Sequence, residues 1–438
     1  MKKIYILMLV AAIAASSCKK TDENLNREIV GLGGDVFPQS DLDKFLFSNF
    51  TQPYNISVKY RWDGTEYDNS KTLTPVKIEK VQPLMEIVKS AWIDPYTAEV
   101  GQNFIKTYAP KNYVLVGSPQ YNSGGTVTLG EAEGGIKVTL FNVNNFEKTE
   151  RSVSKRVLKT IHHEFTHILN QTITYPKEFP LITPAGYTAD WNNVSNYAAN
   201  GFITQYSQAA PGEDFAEMVS IMLTEGKTGY EFIVRSNPSA TAIAAIRAKE
   251  NIVVTYMKQT WGIDMYTLMN RVQAAFDATA PTSPSPYLGF GKLYTMVSIN
   301  PDGTTGLSAD FMTQYNAAKT GLAAVGGAGR VLNNIALVYS AAGQVILRVN
   351  YTNSAGAAFV ANFTYNITTD ASGNINLALS ATDANGLVIA PGITSLTNYL
   401  TTNKFTYKFF YSADGKIEYM GLAKTADPTS FFFGVYGN

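Results

Sequence analysis

Residues 152–171 read SVSKRVLKTIHHEFTHILNQ, a stretch without glycine or proline. Its apolar side chains recur at every fourth position, as one face of an α-helix requires: Val153, Val157, Ile161, Phe165 and Leu169. All three histidines of the chain fall within this stretch. His163 and His167 stand four positions apart, so on a helix both imidazoles project from one face and can bind one Zn²⁺. The stretch therefore predicts a helix that carries a metal site.

Glu164 follows His163 and completes the pattern His-Glu-x-x-His. Its carboxylate can take a proton from water that the metal activates and deliver it to a leaving amine. An accidental match on a surface helix is the alternative. The metal interpretation is favoured because the two histidines lie off the Val157/Ile161 stripe and the chain otherwise lacks histidine. His162 has no place in the pattern, and we expect it to pack or to form a hydrogen bond.

A catalytic zinc site needs a third protein ligand and an open fourth position, and no histidine remains to supply that ligand. The metzincin pattern is excluded because Asn170 and Ile173 stand where it requires glycine and histidine. The third ligand is therefore expected to be a carboxylate or another oxygen donor.

Three acidic residues near the start of the next predicted helix, Gly212–Glu225, are candidates for this ligand, and Gly226 is expected to end the helix. Glu213 and Glu217 stand four apart, opposite the apolar face, and their like charges repel unless a cation or hydrogen-bond donors lie between them. Asp214 is about 100° round the helix from Glu213, so the two cannot point equally well at one metal. From the residues alone, all three remain candidates.

The first residues have the pattern of an export signal, residues 1–17, with two lysines before a short apolar run. That run, Ile4–Ala14, is too short to span a bilayer. The segment Ala15-Ser16-Ser17-Cys18 resembles a bacterial lipobox, which implies cleavage before Cys18 and lipidation of its thiol. An ordinary secretory signal with a nearby cysteine is the alternative. Because the chain has 1 cysteine, no intramolecular disulfide can form.

Residues 18–30 are expected to form the lipidated cysteine and a polar tether that holds the protein at a membrane. Asp22 and Glu23 resemble sorting signals that send some lipoproteins to the outer face of the cell. These features predict an exported lipoprotein of the outer membrane, exposed at the cell surface.

The rest of the chain is expected to form two domains. Residues 31–290 pass from strand patterns to helix patterns, as in an α+β domain, and residues 305–438 have the short alternating runs and turns of a mainly antiparallel β domain. The chain has 35 Lys and Arg against 35 Asp and Glu. This balance gives no electrostatic reason to expect a nucleic-acid partner.

Five local patterns within the first domain also lead to specific predictions. The spacing from Val81 to Trp92 is helical, and Asp94-Pro95 reads as the start of a separate helix with proline in its first turn. Ile136–Phe141 reads as a strand. Ser239–Trp261 and Asp264–Ala278 read as helices.

The two motifs together resemble those of the gluzincin metallopeptidases, in which a second helix carries a ligand glutamate and often another acid one turn later. Over roughly residues 30–280 the chain is similar to zinc-binding metallopeptidases found among bacterial lipoproteins, with which it shares His-Glu-Phe-x-His and Glu-Asp-Phe-Ala-Glu. The resemblance implies a zincin-like metallopeptidase domain with Zn²⁺ as cofactor. It further implies that Glu213 is the third ligand and that Glu217 orients a ligand histidine.

Tyr206 stands seven residues before Glu213, where some gluzincins place a tyrosine that stabilises the oxyanion. The resemblance therefore implies a catalytic role for Tyr206, and a tyrosine of the core or of a loop is the alternative.

These observations predict a lipid-anchored zinc metalloendopeptidase that acts on a peptide or protein substrate. By analogy with zincins, the strand Ile136–Phe141 is expected to lie exposed above the zinc helix and to align an extended peptide. Residues 172–210, which include Trp191, are expected to line the cleft. The alternative is a non-catalytic surface binding lipoprotein of a nutrient-uptake assembly, and the intact Glu164 argues against it.

The tail from about residue 305 resembles an uncharacterised β-rich domain that accompanies such lipoproteins, on its general pattern and on Thr429–Gly434. Phe405, Tyr407 and Phe409 alternate with polar residues. They could present an aromatic face to a glycan or a protein partner, or they could fill the core of the β domain. Alternation alone favours the core.

Overall fold

The structure is a computed structural model that describes residues 38–122, 125, 127–133, 135–327 and 329–438. The predicted signal (residues 1–17) and Cys18 with its tether (residues 18–30) lie outside the described residues. The chain divides into two units, Met1–Lys44 and Phe45–Asn438, and every described strand belongs to the second. Across the part of the chain that is described, no helix has the length and apolar character needed to cross a membrane.

The described helices are numbered in chain order. They are α1 (Asp41–Leu46), α2 (Gln52–Tyr54), α3 (Ile78–Val88), α4 (Asp94–Val100), α5 (Gln102–Tyr108), α6 (Arg151–Thr172), α7 (Pro211–Arg235), α8 (Ala240–Trp261), α9 (Met265–Asp277), α10 (Ala309–Ala324), α11 (Ala384–Ile389) and α12 (Thr394–Thr402). Two π turns, Phe47–Thr51 and Lys89–Ile93, and several short 3₁₀ turns connect them.

The described strands form a small sheet, a two-stranded ribbon and a closed barrel. They are β1 (Ser57–Lys59), β2 (Asn112–Leu115), β3 (Gln120–Tyr121), β4 (Val127–Thr128), β5 (Gly130–Glu133), β6 (Lys137–Leu140), β7 (Met296–Ile299), β8 (Val331–Val338), β9 (Gln344–Thr352), β10 (Ala358–Thr369), β11 (Ile375–Thr382), β12 (Lys404–Tyr411), β13 (Glu418–Lys424) and β14 (Phe431–Gly437).

The small sheet has the order β1-β2-β6-β5, in which β1, β2 and β6 run parallel and β5 runs antiparallel to β6. The prediction of a strand at Ile136–Phe141 is confirmed, but the prediction that this strand lies exposed at an edge is wrong. Its central residues form β6, which pairs with a strand on each side. The edge strand next to α6 is β5, where Gly130 approaches Thr160 so closely that a Cβ on Gly130 would lie 2.1 Å from the Thr160 Cγ2.

The predicted helix around residues 152–171 is α6, which packs beneath the small sheet. Its core face is formed by Leu158, Ile161, Phe165 and Leu169, which are all buried, whereas Val157 is half-buried. Phe165 contacts the aromatic core, since its ring centroid lies 5.3 Å from that of Trp92 and 5.2 Å from that of Tyr96. Because successive residues are about 100° apart, a core-facing Phe165 turns His163 and His167 towards the opposite side.

Helix α7 packs along α6 and continues past the predicted end at Gly226 as far as Arg235. Gly226 itself has φ 69° and ψ 177°, so the helical backbone is interrupted there and resumes in a new direction. The next two helices agree with the sequence pattern: Ser239 caps α8 by accepting from the Ala242 N–H, and Asp264 caps α9 by accepting from the Thr267 N–H.

Helix α4 begins at Asp94 with Pro95 in its first turn, as predicted, but no break separates it from the helical backbone before it. The π turn Lys89–Ile93 leads directly into α4, and the Asp94 N–H donates to the Lys89 carbonyl five residues earlier. A π turn also precedes Pro53, where the Gln52 N–H donates to the Phe47 carbonyl. In both places the wider turn accommodates a residue that lacks an N–H donor, so the helical backbone continues.

The C-terminal part is an antiparallel β structure, as predicted, and it closes into a barrel in the order β7-β8-β9-β10-β11-β12-β13-β14. Alternate residues of its strands point inward, as along β9, where Val345, Leu347, Val349 and Tyr351 are buried. Phe405 and Tyr407 are also buried in this core. Phe409, the third residue of this alternation, is half-buried and packs against the same core, so the aromatic residues of β12 contribute to core packing.

Candidate metal centre

The candidate centre lies between α6 and the first turn of α7. His163 and His167 project from α6 on the side opposite its aromatic core, and Glu213 projects from α7 towards them. His163 is 7% exposed, so little of its ring is open to solvent. These three residues form one cluster of side chains that could hold a metal ion.

The three donor atoms of this cluster converge closely. Oε2 of Glu213 lies 2.9 Å from Nε2 of His163 and 3.2 Å from Nε2 of His167, and the two imidazole nitrogens are 3.1 Å apart. Zinc bonds of about 2.0–2.1 Å in tetrahedral geometry place ligand atoms roughly 3.3 Å apart. Two imidazoles and a carboxylate at these separations fit Zn²⁺ after small movements, and they leave a fourth position for a water or a substrate.

Electrostatics in the cluster favour a cation. Burial lowers the pKa of His163, but hydrogen bonds with the carboxylates of Glu213 and Glu217 outweigh burial and raise that pKa to about 9. Burial raises the pKa of Glu213, whereas hydrogen bonds from both histidines outweigh it and hold the pKa well below its ordinary value. The carboxylates thus stabilise positive charge at the point where the donor atoms meet.

The Glu217 carboxylate does not point at the three donor atoms but contacts the other nitrogen of the His163 ring. Its Oε1 lies 2.9 Å from Nδ1 of His163, on the far side of the ring from Nε2. A hydrogen on Nδ1 directed at this carboxylate leaves the lone pair on Nε2 for a metal. Glu217 is 1% exposed and accepts further hydrogen bonds from Lys159 and Thr204.

Glu164 lies on the wall of a cleft of about 670 Å³ that also contains the three candidate ligands. Burial is the largest influence on its carboxyl group and raises the pKa above the ordinary value. A carboxylate of raised pKa beside a metal is suited to accept a proton from water.

Tyr206 stands in the 3₁₀ turn Tyr206–Gln208 at the edge of the same cleft. Its ring centroid lies 5.9 Å from that of His163 and 4.9 Å from that of Trp191. Burial, followed by the charge of Glu213, raises the pKa of Tyr206 well above its ordinary value, so the hydroxyl keeps its hydrogen. The structure therefore brings Tyr206 and Trp191 to the cleft together with the three candidate ligands.

Asp214 is directed away from the cluster. Its carboxylate is fully buried and lies 2.7 Å from the Lys249 Nζ, and it accepts a hydrogen bond of 2.9 Å from the Tyr187 hydroxyl. Of the three acids that the sequence left as candidates, only Glu213 reaches both histidines. His162 packs in the core, as expected, with its ring centroid 5.9 Å from that of Tyr96.

Sequence reasoning did not identify Lys159, Thr204 or Lys249. Lys159 stands four residues before His163, so the same helical spacing that links the two ligand histidines could have pointed to it. No local signal indicates Thr204 or Lys249, because the folding of distant segments brings them to Glu217 and Asp214.

Comparison with known proteins identifies the family to which the chain belongs. Residues 36–266 match the family model described as "Putative zinc-binding metallo-peptidase". A crystal structure of a putative zinc-binding metallo-peptidase from Bacteroides caccae ATCC 43185 is 32% identical, with a TM-score of 0.49. The match covers 56% of this chain and 97% of that one. No curated protein matches the chain. Because the family model spans more than half of the 438 residues, the chain belongs to the "Putative zinc-binding metallo-peptidase" family.

Proposed function

We propose that the protein is a zinc-dependent metalloendopeptidase, a hydrolase that cuts peptide bonds within a peptide or protein substrate. The observation that carries this proposal is the convergence of Nε2 of His163, Nε2 of His167 and Oε2 of Glu213 to within 2.9–3.2 Å of one another. Glu164 lies in the same cleft, where a general base is needed.

In this proposal His163, His167 and Glu213 hold Zn²⁺, and Glu217 fixes the orientation of the His163 ring. When bound, zinc would supply a Lewis acid that polarises the scissile carbonyl and lowers the pKa of water. Glu164 accepts a proton from the attacking water and passes it to the leaving amine. The Tyr206 hydroxyl, which stays protonated, donates a hydrogen bond to the developing oxyanion.

The edge strand β5 is proposed to align the substrate. It is one of the two edge strands of the small sheet and lies next to α6, and Gly130 and Glu131 line the cleft. An extended peptide can add to such an edge through main-chain hydrogen bonds. An antiparallel edge strand beside the helix that carries the histidines supports a zincin-like arrangement for the proposed domain of residues 31–290, with the β domain of residues 305–438 after it.

Membrane anchoring is part of the proposal and rests on sequence alone. Cleavage before Cys18 and lipidation of its thiol would place the protein at the outer membrane, with the tether of residues 18–30 between the lipid and the folded chain. Asp22 and Glu23 support exposure at the cell surface.

A direct test compares the chain from Lys19 onward with its Glu164→Gln variant. Both are loaded with zinc and incubated with denatured proteins and a peptide library, and mass spectrometry identifies the cuts. We expect specific cuts by the wild type that a chelator abolishes, and none by the variant, although its zinc content is unchanged.

A Glu178→Gln variant, altered at an exposed glutamate that does not line the cleft, should cut as the wild type does. Cutting by Glu164→Gln would remove Glu164 from the mechanism. Binding of peptides by the zinc-loaded wild type without any cut would favour the non-catalytic binding lipoprotein instead.

A further inference from the structure

The carboxylate of Glu217 is the meeting point of three segments of the chain. It faces Nδ1 of His163 on α6 at 2.9 Å, accepts two hydrogen bonds of 2.8 Å from the Lys159 Nζ, and accepts one of 2.6 Å from the Thr204 hydroxyl. Because Glu217 is 1% exposed, these groups replace the water that a carboxylate otherwise requires.

Lys159 is placed to counter the charge of Glu217. It lies one helical turn before His163 on the same face of α6, and 35% of its side chain is exposed against 2% for that of Glu217. A second ion pair, Lys155 with Glu225, joins the same two helices one turn nearer the N-terminus of α6 and two turns nearer the C-terminus of α7. The two pairs are similar in chemistry, but only Lys159 reaches a group that contacts a metal ligand.

Thr204 connects Glu217 to the turn that carries Tyr206. Its hydroxyl donates to Glu217, and the same oxygen accepts the Ser207 backbone N–H at 3.2 Å. Ser207 is fully buried, so this N–H has no access to bulk water. One hydroxyl therefore links the carboxylate that orients His163 to the 3₁₀ turn at the cleft edge.

We propose that Lys159 and Thr204 are positioning residues that hold the Glu217 carboxylate as a common anchor for the His163 ring and for the turn bearing Tyr206. This inference rests on the proposed function, because it takes the His163 Nε2 as a zinc ligand. Lys159 holds the anchor in place through its two hydrogen bonds, and the Thr204 hydroxyl links the cleft edge to it. Metal affinity and the position of Tyr206 are thereby coupled through one side chain.

Replacing either residue should therefore weaken metal binding, while the protein still folds. Residues that orient a ligand histidine typically change metal affinity by about 10–100-fold when they are replaced. Lys159 and Thr204 act through Glu217, so we expect the lower end of that range, about tenfold weaker zinc binding, for Lys159→Met and for Thr204→Val.

The test compares the full wild-type chain with four variants that each carry one substitution: Lys159→Met, Thr204→Val, Thr204→Ser and Lys155→Met. Competition with a chelator gives the zinc dissociation constant, and the visible spectrum of the cobalt(II)-substituted protein reports the geometry of the ligands. Thermal unfolding of the metal-free protein shows whether each variant is folded. Thr204→Ser restores the hydroxyl, and Lys155→Met removes the neighbouring ion pair without touching Glu217.

The proposal predicts weaker zinc binding and an altered cobalt spectrum for Lys159→Met and Thr204→Val, with near wild-type values for Thr204→Ser and Lys155→Met. Wild-type affinity and spectra in the first two variants would overturn it. So would an equal loss in Lys155→Met, which would indicate only a general weakening of helix contacts.

These measurements, combined with the peptide-cutting assay, separate this inference from the proposed function. If the wild type binds zinc and the variants respond as predicted but no peptide is cut, the peptidase proposal fails and the positioning role stands. A wild type that cannot bind zinc or cobalt overturns both.

Discussion

Glu213 and Asp214 are adjacent acids whose roles are set by what each side chain meets. Glu213 points at two imidazoles, whereas Asp214 enters the core and pairs with Lys249 at 2.7 Å. From the sequence, helical geometry shows only that the two carboxylates diverge by about 100°. Lys249, the ion-pair partner of Asp214, lies 35 residues away in the sequence, on α8. Which of the two acids faces the histidines therefore depends on tertiary structure.

Tyr206 provides a prediction at the scale of a single residue. Replacing it with phenylalanine removes the hydroxyl but keeps the ring contact with Trp191. If the hydroxyl stabilises the oxyanion, kcat should fall by roughly 10²-fold, as is common when one such donor is lost, while KM changes little. Steady-state kinetics on a peptide found by the library screen measures this.

Zinc content and thermal unfolding of Tyr206→Phe serve as controls and should match the wild type. An unchanged kcat in a zinc-loaded, folded variant would assign Tyr206 to packing at the cleft edge and not to chemistry.

Among the elements, α6 was predicted from local sequence to within one residue at each end. Its periodicity reports local geometry, which is why the positions of both histidines on one face could be predicted as well. The π turn Lys89–Ile93 could not be predicted from the sequence, because Asp94-Pro95 has the composition of a helix start whether or not the preceding helix continues. The register of β5 beside α6 likewise depends on sheet pairing that the sequence pattern does not contain.

Gly226 allows a prediction at the scale of a helix. Its φ of 69° is strained for a residue with a Cβ, and a Cβ there would lie 2.5 Å from the Gln273 Cγ. Gly226→Ala should therefore lower the free energy of unfolding by about 1–3 kcal/mol. Urea unfolding followed by circular dichroism measures the change.

Gly64→Ala is a suitable control for this prediction, since Gly64 has no positive φ and the nearest atom to an added Cβ is 3.9 Å away. Equal stability of Gly226→Ala and the wild type would show that the interruption in α7 relaxes at no cost.

For the whole molecule, an antiparallel β domain could be predicted from alternation and turns, but its closure into a barrel could not. Closure requires β14 to pair with β7, and these strands lie more than 130 residues apart in the sequence. The contact of the barrel with the helices is also long-range: Glu418 of β13 accepts hydrogen bonds from Thr228 of α7 at 2.6 Å and from Tyr436 of β14 at 2.8 Å.

Glu418 makes the stability of this junction dependent on pH. Burial raises its pKa above the ordinary value, against the opposing effects of Thr228, Tyr436 and Lys227. A carboxyl whose pKa is raised on folding stabilises the fold fully below its ordinary pKa, and this contribution is lost as the pH rises through the raised value. In Glu418→Gln the side chain does not ionise, so this variant does not lose stability at this position as the pH rises.

We therefore expect the free energy of unfolding of Glu418→Gln to increase relative to that of the wild type as the pH rises from about 4 to about 8. Urea unfolding of both metal-free proteins across this range tests the expectation, with Glu79→Gln at an exposed helix position as control. A difference that is constant with pH, or that changes in the opposite direction, would contradict the raised pKa of Glu418.

The most direct test of the proposed metal centre is its zinc content. Elemental mass spectrometry would compare the chain from Lys19 onward with its Glu213→Ala variant. We predict about one zinc per wild-type chain and strongly weakened retention in the variant, because a site of two histidines and one carboxylate loses a third of its protein ligands. A wild type that cannot be loaded with zinc, or a Glu213→Ala variant that retains it as tightly as the wild type, would contradict the assignment of the centre to His163, His167 and Glu213.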